Sequence, residues 1–526
     1  MDMSLRNAGT FFFVLILSLA SSQVAQSEDI RPGYNTPIPE DIMTPETVET
    51  RMGTLKFDDG RPTPETSALM WDTLDFMRGV EVFLNFIPAT SIEGIRRGHV
   101  EMGIVSSNQV MVFDKLMDSN PLFLTGNTDT IYGMTMLDLQ KDGATVIEIP
   151  KGQGPRASDS KRRLFPFCSR YGGAGLDKGE GGKYLILPPE YDGDLDPPEG
   201  GFEAVVDGET YFVSRSPSYV NWFIARGFLV DSKTDTAVAA YETGLRIYPL
   251  AQKDNPPEME FISGSEQVFN TIHANSFEFY HELDEVIQRE PLALLDPELR
   301  GLAASIGIQK GMPFDPDERM TQILKEAVAV GNATARTIWL KPRDPDAYLY
   351  ENSGWYTAFL GDSYQWLQND GNGGRYADAR TMFFYMVTVN TPAMVLKIPG
   401  VGSQYALNVT DSNGTFLDGS KNYTLQIPAD VPAKDFWSVV AYDPQTRSEL
   451  QTSQPYPSKN NKRDPLIENE DGSVTLYFGP DVPAGNEANW VETIPGKGWF
   501  VLLRLYGPLE PWFEGTWQPG EFEPRD

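Results

Sequence analysis

The sequence predicts a mixed, β-dominated α+β fold: two jelly-roll-like β-sandwich units joined by a helical segment. Three observations predict it. From Pro432 to Pro524, short aromatic and β-branched runs alternate with Asp-Gly, Pro-Gly and Gly-Pro breaks, as in a sandwich or jelly roll. A second strand-like stretch spans Pro121 to Arg226, and apolar residues at helical spacing fill the intervals around it. The 47 Gly and 40 Pro are spread along all 526 residues, which reads as many turns and not as one linker. A chain of this length exceeds what one core usually holds.

The N-terminus reads as an export signal. Arg6 precedes the apolar run Phe11 to Leu17, and the small residues Ala20, Ser21 and Ser22 follow. Residues 1–22 are expected to be removed, leaving a periplasmic or secreted protein. No run reaches the roughly 18 apolar residues of a transmembrane helix, so no membrane span is expected in the mature protein. Cys168 is the single cysteine and excludes an internal disulfide; with no nearby His it reads as a packed or incidental thiol. Asn332, Asn408, Asn413 and Asn422 begin N-x-Thr sequons, relevant only in a eukaryote. The formal net charge of −31 speaks against nucleic acid and anionic membrane as partners, since both need a basic face.

Residues 23–62, Pro-rich and polar, read as an extended arm. A helical segment is expected over 63–118, starting at Thr63-Pro64-Glu65, with an N-cap, a proline at the first helical position and an acid in the first turn. Pro88 is expected to end its first helix, and a second is expected over Ser91–Gly98. The first sandwich unit is placed at 119–250. It opens with a hairpin of Thr130–Leu137 and Thr145–Pro150, and Asp207-Gly208 is its tightest turn signal. A second helical segment, 255–345, contains an expected helix over Gln267–Arg289 and helix starts at Asp296-Pro297-Glu298 and Asp315-Pro316-Asp317-Glu318, the latter with a capping-box acid, Glu318, three residues after the cap. A Gly/Tyr/Trp-rich connection over 346–378 leads to the second sandwich unit, 379–526, which opens on an expected strand from Ala379 to Val389.

The motifs carry a resemblance. The segment NPLFLTGNTDTIYG, from Asn120 to Gly133, resembles the N-x-D-T-x-Y signature of the domain of unknown function 1254, as do FNTIHANSFEFYHEL and GLAASIGIQKGMPFDPDERM. The tail, with Phe436-Trp437-Ser438, Asp471-Gly472-Ser473, Asn489-Trp490 and Arg504-Leu505-Tyr506-Gly507-Pro508, is similar to the domain of unknown function 1214. The resemblance implies an exported protein of two jelly-roll-like domains joined by helices, and brings no reaction with it.

Several groups are candidate site residues. Asn127, Asp129, Thr130 and Tyr132 fall in the signature, where a carboxylate beside an amide and a phenol could orient a substrate or bind a metal. Equally, they could cap a turn. His273, among aromatics and beside Asn270, is a candidate acid/base with Asp129, or a semi-buried structural histidine. His281 is expected on a polar, solvated face, and His99 at a helix end. Arg504 and Tyr506 share a face of a strand, with Trp490, Trp512 and Trp517 near in sequence. Such a set binds a carboxylate or sugar ring, unless Arg504 is paired structurally with Asp443 or Glu487.

Asp192, Asp194 and Asp196 have calcium-loop spacing, but Pro197 replaces the Gly that loop needs. No cofactor motif is evident, and a divalent metal, calcium or a transition metal, is the class these acids would admit. H-E-x-x-H, Walker A and G-x-S-x-G motifs are absent. Two readings stay open: a protein binding a small molecule or glycan in a cleft between the β units, and an envelope hydrolase or lyase using His273 and Asp129. The fold does not choose between them. A homo-oligomer is compatible with either.

Overall fold

The computed structural model describes residues 36–150, 176–195, 203–227, 229–388, 390, 395 and 397–525. Residues 1–22, expected as an export signal, and Cys168 and Asp196 lie outside the described residues. The chain divides into two units, residues 1–71 and 72–526.

In the first unit, the segment read as an extended arm holds a small antiparallel sheet of β1 (Thr47–Thr50), β2 (Gly53–Asp58) and β3 (Arg61–Pro62). Thr63 Oγ1 then accepts the Thr66 N–H at 3.3 Å, capping α1 (Pro64–Glu101). From Asp72 onward α1 belongs to the second unit. It continues through Pro88 to Glu101, so the expected break at Pro88 does not occur. Proline costs a helix one hydrogen bond, and here Phe86, Ile87 and Ala89, all buried, anchor both sides of it.

The first β domain has two sheets. One has the order β10–β5–β4–β12, from β10 (Val220–Gly227), β5 (Ile131–Asp138), β4 (Gln109–Val112) and β12 (Glu260–Ser263). The other has the order β11–β6–β7–β9–β8, from β11 (Arg246–Pro249), β6 (Thr145–Ile149), β7 (Gly182–Leu187), β9 (Glu209–Arg215) and β8 (Glu203–Val206). Side chains from both fill one core, among them Val112, Ile131, Ile147, Ile186 and Phe223. The hairpin expected between 130 and 150 is not formed: β5 and β6 lie in different sheets. The helical turn α2 (Leu139–Asp142), capped by the Asp138 side chain, carries the chain from one to the other. The Asp207-Gly208 hairpin does form, with φ of 49° and 82°, the left-handed pair a tight two-residue turn needs.

Helices follow: α3 (Asp235–Gly244), α4 (Glu278–Arg289), α5 (Pro297–Ala304), α6 (Glu318–Leu340) and α7 (Ala377–Met386). Asp296 caps α5 by accepting Leu299 N–H at 2.9 Å, and Asp317 caps α6 by accepting Met320 N–H at 2.7 Å. Residues 267–277 are not helical, because Leu122 and Asn270 form a parallel bridge that holds this stretch extended. Residues 377–386 are helix and not strand. The run Thr-Met-Phe-Phe-Tyr-Met is buried nearly all round, so it shows neither period, and it packs on α6.

The C-terminal domain is a sandwich of two four-stranded sheets. One has the order β13 (Ser403–Asn408), β19 (Phe500–Pro508), β15 (Ala433–Tyr442), β16 (Ser458–Asn460). The other has the order β18 (Trp490–Glu492), β17 (Val474–Gly479), β14 (Asn422–Ile427), β20 (Phe522–Arg525). Trp437, Val439, Val501, Leu503, Leu476 and Phe522 fill the space between them. Alternate residues of β15 and β19, Val440, Tyr442, Phe500 and Leu502, point out of the sandwich and join the core made by the helices. Every residue of β19 is therefore buried. The fold is mixed α+β and dominated by β-structure.

Candidate functional site

On the outward face of the β13–β19–β15–β16 sheet, strand register sets a polar row inside an apolar surface. Tyr405, Arg504, Ser438 and Asn460 are successive cross-strand neighbours. One step along, Ser403, Tyr506 and Phe436 form the next row, with the Tyr506 and Phe436 rings stacked at 4.1 Å.

The signature segment 125–130 docks on this face, and its residues 127–130 are at most 2% exposed. Asp129 Oδ2 accepts from Ser438 Oγ at 2.6 Å and Tyr506 OH at 3.2 Å, and Oδ1 accepts from Asn460 Nδ2 at 3.0 Å. Arg504 Nη2 donates to Thr125 O (2.7 Å), Gly126 O (3.0 Å) and Tyr442 OH (2.6 Å). Thr128 Oγ1 and Ser458 Oγ share a bond of 2.6 Å, and Arg463 Nη1 donates to Thr128 O at 2.9 Å. Thr125 is held at φ 40°, a left-handed backbone that a β-branched residue adopts only under constraint. The Thr125 N–H bond to Arg447 O, 2.8 Å, supplies part of that constraint.

Within the segment, Asn127 Oδ1 accepts Asp129 N–H at 2.9 Å and Thr130 Oγ1 at 3.2 Å, the local turn bonding expected of Asn. Its Nδ2 donates to the Tyr132 hydroxyl. Tyr132 opposes Arg226 across β5 and β10, and the Arg226 guanidinium lies 5.4 Å from the Tyr132 ring centre. Arg226 Nη2 makes one long bond, 3.4 Å, to Tyr132 OH, and among the described residues it has no ion-pair partner. Its charge acts on Tyr132, Tyr405, Tyr506 and Arg504, so both arginines and three phenols share one electrostatic neighbourhood. Trp222, Ile224 and Met136, half-buried on the same face of β10 and β5, adjoin Arg226 in the sheet.

Three buried polar groups here have no hydrogen-bond partner among the described residues: Arg504 Nε, Trp222 Nε1 and both oxygens of Glu449. Burial pushes the Glu449 carboxyl well above the usual carboxylate range, opposed by the Arg504 charge and reinforced by Asp129. Burial thus favours its uncharged form.

Other candidates lie elsewhere. His273 is 2% exposed among the rings of Phe83, Phe279 and Tyr385, with Nδ1 3.0 Å from Ala274 O. No hydrogen bond or ring contact joins it to Asp129. Asn270 is exposed and bonds its own loop through Ile272 N–H. Trp490 donates to Gly479 O in the other sheet, and Trp512 and Trp517 pack in the sandwich core. Arg504 pairs with neither Asp443 nor Glu487; Asp443 is bound by Lys497 instead, at 2.6 Å. His281 is half-buried between Phe277 and Phe314, and His99 is buried with Nδ1 2.8 Å from Ile95 O. Asp192 and Asp194 are exposed, and among the described residues no three His, Cys, Asp or Glu side chains come together to hold a metal ion. Arg226, Glu449 and Asn460 are not among the candidates the sequence offers, and Ser438 enters only through the Phe436-Trp437-Ser438 motif. Ser438 alone left a trace, a polar residue inside the apolar run FWSVVAY.

Two family models match the chain: residues 107–249 match the protein of unknown function DUF1254, and residues 402–510 the protein of unknown function DUF1214. No curated protein matches. Among solved structures, the VPA0106 protein from Vibrio parahaemolyticus is similar over 86% of this chain and 99% of its own, with 16% identity and a TM-score of 0.51. That likeness concerns the fold alone. An uncharacterized protein from Burkholderia cenocepacia aligns over 87% of this chain and 96% of its own, at 13% identity and a TM-score of 0.35.

Proposed function

We propose that this chain, which pairs the DUF1254 and DUF1214 domains in that order, binds an anionic small molecule or acidic glycan where the outward faces of its two β domains meet. One observation carries the reading: Arg226 is a half-buried guanidinium with no carboxylate partner among the described residues, sharing its surroundings with Arg504 and the phenols of Tyr132, Tyr405 and Tyr506. Arginine stays charged at any working pH, and desolvating it without a counter-charge is costly. A ligand carboxylate would supply that charge in the two-pronged geometry that guanidinium favours. Trp222, Ile224 and Met136 would take the apolar or ring face of the ligand, as in pockets that combine apolar walls with a few polar anchors. Asp129 is committed to Ser438, Asn460 and Tyr506 and serves to hold the signature segment in place. This favours binding over acid–base chemistry.

The test is a panel of small carboxylates, sugar acids and acidic oligosaccharides, scored by thermal shift and then by calorimetric titration. At least one should bind, more weakly as salt is raised. Arg226→Met should weaken it about 10- to 100-fold, the worth of a charge-assisted pair. Its melting temperature should stay near that of the parent, since Arg226 makes one long bond. Equal binding by the variant, or no binder in the panel, would remove the proposal.

A further inference from the structure

A cavity of about 350 Å³ lies among the helices. Its wall is apolar: Phe86 and Ala89 from α1, Leu283 and Val286 from α4, Leu295 from the connection and Ile308 beyond α5. Three charged residues line it. Lys310 is fully engaged, its Nζ donating to the carbonyls of Ile287, Gln288 and Glu290 at 3.5, 2.7 and 2.7 Å at the end of α4. The Glu290 carboxylate accepts from Ser218 Oγ (2.9 Å), Tyr219 N–H (2.7 Å) and Val220 N–H (3.1 Å). Arg300 differs: it is exposed, and among the described residues its guanidinium has no ion pair or hydrogen bond.

Gly301 stands beside it in the middle of α5, where glycine weakens a helix relative to alanine. A Cβ there would meet nothing within 4 Å, so packing does not demand the glycine, and this exposed residue of the cavity lining has room for a side chain. Leu292, 55% exposed, adds an apolar side chain to the same lining.

We infer that this cavity is a binding site for an amphiphile, an aliphatic chain with an anionic head, the chain running between α1, α4 and α5 and the carboxylate meeting Arg300 at the mouth. The volume and the mainly apolar wall fall within the range of small-molecule sites. The one free cation among the described lining residues selects the sign of the head. This inference does not rest on the Arg226 site, and the two are separable by mutation.

The experiment is calorimetric titration of the full chain with octanoate, decanoate and dodecanoate, with decanol as the uncharged control and a helical apolar peptide as competitor. Affinity should rise about four-fold for each methylene that enters the cavity. Arg300→Gln should weaken decanoate about three- to five-fold, as befits an exposed ion pair, and leave decanol unchanged. Gly301→Phe should weaken both more than about ten-fold while the melting temperature holds or rises, since phenylalanine is the better helix former. Arg226→Met should leave decanoate binding untouched. Decanoate binding that ignores chain length, or that survives Gly301→Phe in a folded protein, would overturn the inference. So would binding of the peptide but not of decanoate, which would make the groove a protein dock.

Discussion

Asp129→Ala is expected to lower the free energy of unfolding by about 3–5 kcal/mol, the range for breaking a buried charged network from one side. The carboxylate is 2% exposed and receives hydrogen bonds from Ser438, Asn460 and Tyr506, on three strands of the C-terminal sheet. Removing it leaves three buried donors without an acceptor, and each costs about 1–3 kcal/mol before relaxation. Asp129→Asn should cost less, about 1.5–3 kcal/mol, because one carboxylate oxygen remains as an amide oxygen while the other becomes a donor facing donors. Ser438→Ala should cost about 1–2 kcal/mol, and the double variant Asp129→Ala/Ser438→Ala less than the sum of the two, because they share one bond. Urea denaturation followed by circular dichroism measures all four. An Asp129→Ala variant within about 0.5 kcal/mol of the parent would show that the signature segment is not held by this network. The consequence reaches beyond stability. Arg504 clamps the carbonyls of Thr125 and Gly126 on the same segment, and Tyr132, which carries Arg226, follows directly from it. Loosening the segment should therefore weaken ligand binding at Arg226 as well.

How much of this was legible in sequence depends on how local each feature is. The helix start at Asp296 and the Asp207-Gly208 turn are written within four residues and stand where the sequence puts them, while α6 is capped by Asp317, two residues after the expected Asp315. The shared face of Arg504 and Tyr506 follows from strand alternation alone. Where a run is apolar all round, as at 377–386, period disappears and helix cannot be told from strand. Where a distant bridge intervenes, as between Leu122 and Asn270, local helical spacing is overruled. The partners of Asp129 lie 309 and 331 residues away, and no spacing in the chain encodes that meeting. Hence Asp129 could be noticed as a carboxylate in a motif, but its part in joining two domains could not be read.

His273→Ala should cost about 3 kcal/mol near pH 7.5, and markedly less at pH 5. The first figure is that of deleting a ring packed against Phe83, Phe279 and Tyr385. The second follows from linkage. Burial, helped by the Arg447 charge, pulls the His273 imidazole from its ordinary 6.5 down to about 3, and the bond to Ala274 O offsets only part of this. Below pH 6.5 the unfolded chain takes up a proton that the folded one refuses, so stability is lost as pH falls from 6.5 toward 3. The loss is at most about 1.4 kcal/mol per pH unit, or about 2 kcal/mol by pH 5. The alanine variant escapes it, so the gap between variant and parent narrows by that amount. His99, pulled by burial to about 4, acts in the same direction in both proteins. Burial raises Glu282 to about 7 and Glu449 well above its usual range; both act oppositely, favouring the fold at low pH and losing that contribution as pH rises. These terms shape the parent's own profile but cancel in the difference between the two proteins. His281→Ala, a half-buried ring between Phe277 and Phe314, should cost about 1 kcal/mol. Denaturation curves at the two pH values decide the matter. A gap for His273→Ala that stays constant between them would mean that the imidazole reaches water in the folded protein, and the aromatic cage around it would then be open enough for the acid–base role to return.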